Sequence, residues 1–360
     1  MLRLLARAGA FAVLCLGLLE VFFRFVLPAR EVPYPWQEPE FGLMLYEQRV
    51  TDGLFTSGRL AEQRSPWHIN RTGWNAGIEY LPASERGRPA VAVIGDSQGE
   101  GFYVSWDEHI AGRLTTLSGG QIEGHSYGGS AYQLPTYVRV ARYLAKHRID
   151  PEVLVFLLNR GDFWSSVREL GRARAQLATW SIDAAGVFTE HPPAPYRSTV
   201  FRRFMRESAF VRYLVFNANL NPVADGPVEI GMVQRSRYPE AEEHVQKRIV
   251  PITEHFLDEV AQALPRARVL FVVDADRREI HQGKVPARLE FSALVEGVCQ
   301  RRGCGFIDMT DRMVADWAAH QAPFHFAHNA HWNARGHAIH AEAIHAWLVA
   351  EGWVKPAPAP

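Results

Sequence analysis

Val91-Ala92-Val93-Ile94-Gly95-Asp96-Ser97-Gln98-Gly99-Glu100-Gly101 is a short apolar run that breaks into glycines around one serine. From Ala90 to Ile94 the residues are continuously apolar, small or β-branched, the pattern of a strand buried on both faces of a parallel sheet. In open α/β sheets ligands bind beyond the carboxyl ends of the strands. A serine there, on a turn that glycines allow to be sharp, presents its hydroxyl and adjacent N–H groups to a substrate. Gly-Asp-Ser after a strand is also an ordinary loop with an N-cap, so the assignment needs a second stretch.

That stretch is His328-Asn329-Ala330-His331-Trp332-Asn333-Ala334-Arg335-Gly336-His337, ahead of a helical pattern through Ala341, Ile344 and Leu348. The two stretches together resemble the first and last blocks of the GDSL/SGNH hydrolases: Gly-Asp-Ser after a strand, then an acidic residue three before a histidine, followed by Asn, a small residue and Gly-His. The resemblance implies Ser97 as nucleophile and His331 as base, with His328 standing where the family has its acid. A neutral imidazole at 328 can accept a hydrogen bond from His331 but cannot offset the positive charge that forms there. Replacing the acid of a serine triad by a neutral group can cost about 10⁴ in rate. Asp276, Asp308 and Asp311, at or just beyond strand ends, are candidate substitutes, and nothing in the spacing selects one.

The family's middle blocks are matched in part. Tyr127-Gly128-Gly129-Ser130-Ala131-Tyr132-Gln133 stands where Asn-x-Gly-x-x-Gly belongs, with Ser126 at the Asn position and Ala131 at the last Gly. Asn159-Arg160-Gly161-Asp162 stands for Gly-x-Asn-Asp, with Gly161 at the Asn position and Asn159 two residues early. By resemblance the oxyanion donors are Ser97, Gly128 and Ala131, joined by Asn159 if its loop bends differently; read from the residues alone, Asn159 is equally a turn former.

The 360 residues carry 39 Lys and Arg against 39 Asp and Glu, so no electrostatic footprint for nucleic acid exists. No phosphate loop, paired Cys-x-x-Cys motif or internal repeat is present, and no cofactor is called for. His328 and His331 could share a zinc ion, but no acidic third ligand lies near in sequence, so no metal is assigned. The remaining tail histidines, His325, His337, His340 and His345, read as helix-surface or cap residues.

Arg3 and Arg7 precede an apolar run that continues to Leu27, interrupted by Glu20 and Arg24. Its length and the poor cleavage site at residues 27–30 point to an uncleaved transmembrane anchor over residues 1–30 rather than a signal peptide. The basic start puts the N-terminus inside, which places the domain in the periplasm or exterior, on a bacterial inner membrane by the family resemblance. In that compartment Cys299 and Cys304 could pair if their Cα atoms lie within bridging distance, or stand as unrelated thiols.

Residues 31–89 show no sustained period and read as a juxtamembrane linker and cap. From residue 90, strands at 90–94, 121–126, 153–158, 269–274 and 305–308 alternate with helices at 106–117, 134–147, 252–264 and 289–299. Such alternation predicts a parallel five-stranded sheet covered on both faces, a three-layer α/β/α sandwich; the family's flavodoxin-like fold is the same architecture. The hydrolase-like domain spans 90–350, with an insertion at about 164–244 holding a hairpin-like turn at 180–186 and an amphipathic helix at 201–216. Residues 351–360 read as a disordered tail. The expected function is a membrane-anchored serine esterase acting on an O-acyl group of an envelope glycan or lipid. A catalytically degenerate protein that binds a glycan or assembly partner, or an O-acyltransferase, is the alternative, and the oligomeric state is unknown.

Overall fold

The computed structural model describes residues 1–168, 175–220, 247–327 and 329–355. Its centre is one parallel sheet of β1 (Ala90–Gly95), β2 (Glu123–Gly128), β3 (Val153–Leu158), β4 (Arg268–Val273) and β5 (Gly305–Asp308), in the order β5-β4-β3-β1-β2. Alternate residues of each strand face opposite layers. Ala92, Ile94, Phe156, Phe271 and Val273 pack under α2 (Leu134–Lys146), α3 (Ile249–Ala263) and α4 (Ser292–Arg302). Val91, Val93, Val155, Leu270 and Val272 pack under α1 (Ile110–Leu117) and α5 (Ala334–Ala350). Each Val, Leu, Ile or Phe side chain taken fully out of water contributes on the order of 2 kcal/mol, and the result is the expected three-layer sandwich. The strand order reverses between β1 and β3, so the crevice at their carboxyl ends is the place for a ligand.

The structure departs from the sequence reading at several boundaries. β2 begins two residues late and runs to Gly128, because it pairs in register with all of β1, from Ala90 with Glu123 to Gly95 with Gly128. α1 starts at Ile110 rather than 106, where the His109 ring accepts the Ala111 N–H as a cap. The insertion's helix is broken: Val200–Glu207 ends at Ser208, whose extended backbone and hydroxyl cap a new turn, Ala209–Arg212. The hairpin is present, Thr179–Ile182 pairing antiparallel with Phe188–His191. Residues 169–174 and 221–246 of the insertion region lie outside the described residues.

The stretch before β1 is more regular than its composition suggests. Pro35–Gln37 pairs with Met44–Tyr46, and Asp52–Ser57 with Gln63–His68, both antiparallel. The tail is also tied down as far as it is described: Val354 is buried against the α5 face and the Lys355 N–H reaches Gln121 Oε1 at 3.0 Å. Residues 356–360 lie outside the described residues. Cys299 and Cys304 are free thiols, with the Cys304 N–H donating to the Cys299 carbonyl at 3.1 Å. Leu2–Val26 is, among the described residues, one helix long and apolar enough to cross a membrane, with a mean hydropathy of 2.0 over its best window.

Candidate active site

Gly95 ends β1, and Asp96 caps the short helix Ser97–Glu100 by accepting the Gln98 N–H at 2.8 Å. Ser97 therefore stands at the first helical position, where N–H groups have no acceptor inside the helix. The turn needs its glycines: Gly99 lies on Gly128, and a Cβ on Gly128 would fall 2.0 Å from the Glu100 nitrogen. Gly128 lies outside the cavity lining and serves the close approach of β2 to the nucleophile's helix.

The last block closes on that serine from the other side of the crevice. His331 Nε2 lies 2.9 Å from Ser97 Oγ. Gln98, next to the serine, holds the block in place: its Oε1 accepts the Trp332 N–H at 2.8 Å and its Nε2 donates to the Ala330 carbonyl at 3.3 Å. Tyr103 stacks on the His331 ring with centroids 3.8 Å apart. Among the described residues the partner of His331 Nδ1 is Asn329, whose Oδ1 lies 3.3 Å from it and accepts the His331 backbone N–H at 2.9 Å. His328, the residue at the family's acid position, lies outside the described residues.

Sequence reasoning missed Asn329 because the family pattern directs attention one residue earlier. The signal was present in a different form: an Asn two residues before a histidine can bond both its backbone N–H and its ring. The three carboxylates considered as substitutes are engaged elsewhere. Asp276 caps the turn Arg277–His281, Asp308 accepts from Ser292 Oγ and the Thr310 N–H, and Asp311 is exposed beside Arg288.

A carboxylate that spacing did not select, Asp274 beyond β4, does line the cavity. It is held by Arg277 Nε at 3.2 Å and Trp332 Nε1 at 3.1 Å rather than by His331. Burial, reinforced by the Arg277 and Arg30 guanidinium groups, pushes His331 down to about 3. His331 is thus neutral throughout the ordinary pH range, and its imidazolium form is disfavoured.

The cavity, about 440 Å³, is lined by Ser97, His331, Ala131, Asn159 and a wall from the N-terminal region that includes Arg30, Tyr46 and Phe55. Ala131 sits at φ 64°, the left-handed conformation that its Gly-like place in the turn demands, at a cost of about 1 kcal/mol. Asn159 is fixed as a cap: its Oδ1 accepts the Gly161 N–H, its backbone N–H reaches Asp162, and its Nδ2 donates to Asp96 at 3.1 Å. Gly161, at the family's Asn position, brings no side chain. Ser97, Ala131 and Asn159 are therefore the expected donors that border the cavity.

The tail histidines are not surface groups as a class. His337 and His340 are fully buried, His340 stacked on Trp332 at 3.8 Å and His337 accepting the Ile110 N–H. Among the described residues no group of three or more His, Cys, Asp or Glu is placed to hold a metal.

A depressed base has a kinetic signature. The acid limb of kcat/KM for ester hydrolysis is expected near pH 3, set by the free enzyme's His331, so activity should be flat between pH 5 and 7. A limb with its midpoint at the ordinary imidazole value would show that burial and the nearby cations do not depress His331.

No known family's sequence pattern matches the chain, and no curated protein sequence matches it. Among solved structures it is similar to a family 3 carbohydrate esterase of Clostridium thermocellum, at 12% identity over 73% of this chain and 96% of that one, with a TM-score of 0.38. A carbohydrate acetylesterase from Sinorhizobium meliloti matches at 11% identity over 73% and 100%, TM-score 0.36. A lipolytic G-D-S-L family protein from Veillonella parvula matches at 10% identity over 73% and 97%, TM-score 0.36.

Proposed function

We propose that this protein is a serine hydrolase of SGNH type acting on ester bonds, anchored through residues 1–30 in a bacterial inner membrane with its domain in the periplasm, and taking an O-acyl group from an envelope glycan or lipid. The observation that carries the reading is the 2.9 Å approach of His331 Nε2 to Ser97 Oγ at the carboxyl end of β1. With Nδ1–H donated to Asn329 Oδ1, Nε2 is free to take the serine proton as Oγ attacks the ester carbonyl. Donors at Ser97, Ala131 and Asn159 meet the oxyanion. Collapse of the tetrahedral species returns the proton from His331 to the leaving alcohol and leaves acyl-Ser97. Water, activated by the same histidine, releases the acid; a hydroxyl acceptor in place of water would make the protein an O-acyltransferase.

A second reading, binding of an acylated glycan or assembly partner without turnover, draws on the neutral amide at Nδ1 and on the cations beside the ring. Hydrolysis of 4-nitrophenyl acetate by the full chain separates the two. The esterase reading expects turnover above the buffer rate, with a first-turnover burst of nitrophenol matching the amount of protein. A rate equal to buffer, together with retained affinity for an acetylated oligosaccharide, would transfer the assignment to binding.

A further inference from the structure

The apolar helix does not end free of the domain. After Leu2–Val21 the turn Phe22–Val26 stacks Phe23 on Tyr213 at 3.9 Å and on Phe210 at 5.8 Å. Glu20 accepts the Ser208 hydroxyl and the N–H groups of Ala209 and Phe210, and Arg24 donates to the Glu207 carbonyl at 2.9 Å. Asn217 Nδ2 then joins this cluster to Thr56 Oγ1 and the Gly58 carbonyl, both at 3.1 Å. Four residues beyond Val26, Arg30 lines the cavity with Glu31, Val32 and Pro33. At no more than about 3.6 Å per residue, that wall begins within about 15 Å of the last apolar residue of the helix.

The segment that packs on the end of the apolar helix also leaves large apolar side chains in the open. Val200 and Phe204, one turn apart on the helix Val200–Glu207, are 74% and 58% exposed, and Phe25, Val26 and Leu60 are exposed beside the exit. Arg202 and Arg203 are exposed on the same short helix. Exposed Val and Phe flanked by arginines, next to the exit of a membrane-spanning helix, suit the boundary between acyl chains and anionic headgroups rather than water.

We propose that the helix Val200–Glu207 is a second membrane contact, seated in the headgroup region of an anionic bilayer and continuous with the anchor, and that it holds the mouth of the Ser97 cavity at that surface. The substrate is then an acyl ester carried by the membrane itself, a lipid or a lipid-linked glycan, in preference to a polymer at a distance. The substrate part rests on the esterase reading; the membrane contact does not.

The test uses the full chain in phosphatidylcholine nanodiscs containing phosphatidylglycerol, beside the double variant Val200→Asp/Phe204→Asp. Amide hydrogen exchange over residues 199–207 is expected to be slower by about tenfold or more in the parent than in the variant, with exchange in β1 and β3 unchanged as the control for folding. The variant should hydrolyse 4-nitrophenyl acetate normally and lose about tenfold on a long-chain 4-methylumbelliferyl ester dissolved in the bilayer. Equal exchange in the two proteins would overturn the membrane contact. Protection in the parent without turnover of either ester would keep the contact and overturn the esterase reading on which the substrate rests.

Discussion

Ser97→Ala is expected to lower kcat for an activated acetyl ester by about 10³-fold or more, leaving only what the cavity's donors and substrate binding supply. The reason is geometric. Ser97 Oγ lies 2.9 Å from His331 Nε2, so the substitution takes away the hydroxyl that the imidazole is placed to deprotonate. The substitution removes one half-buried oxygen from a helix whose cap, Asp96, is untouched, so the thermal midpoint should move little. A fall in activity accompanied by unfolding would point instead to a structural role for the hydroxyl.

Asn329→Asp is expected to act in the opposite direction, raising kcat by up to about 10²-fold. The side chain keeps its shape, so an aspartate oxygen can take the place of Oδ1, 2.9 Å from the His331 N–H and 3.3 Å from Nδ1. What changes is charge. The present amide orients the ring but carries no charge to offset the developing imidazolium, which the Arg277 and Arg30 guanidinium groups disfavour. A carboxylate there raises the affinity of His331 for a proton, so the acid limb of the rate profile should move up from about pH 3 toward the ordinary imidazole value. The sign follows because an adjacent anion favours the charged form of histidine. Unchanged rate and profile would show that Nδ1 is served by another group.

The sheet was legible in the sequence because β1, β3 and β4 are apolar runs ending in a polar turn, and β3 and β5 fall at their expected bounds, whereas β2, Glu123-Gly124-His125-Ser126-Tyr127-Gly128, is polar and was placed two residues early. Ser97 and His331 were legible because both sit on local signatures, a strand-to-helix turn and a loop ahead of a capped helix. The group that completes the base was not. Asn329 acts through a bond to its own neighbour two residues on, a loop geometry that a spacing rule centred on position 328 passes over. The close packing of Gly128 on Gly99 was hidden for a related reason: a glycine in a glycine-rich block suits both an oxyanion turn and a close contact of a strand with a helix. The N-terminal wall of the cavity was hidden as well. Arg30 and Phe55 reach the site through tertiary contacts, the guanidinium lying over the Phe55 ring at 3.9 Å, that no local period records.

The most direct measurement of the central claim is chemical. The full chain is treated with phenylmethylsulfonyl fluoride, and the intact mass and the modified peptide are read, with His331→Ala treated in parallel. A single sulfonyl adduct on Ser97, formed with loss of fluoride and slowed severely in His331→Ala, is the predicted result. Modification at another residue, or equal labelling of Ser97 without His331, would contradict the dyad.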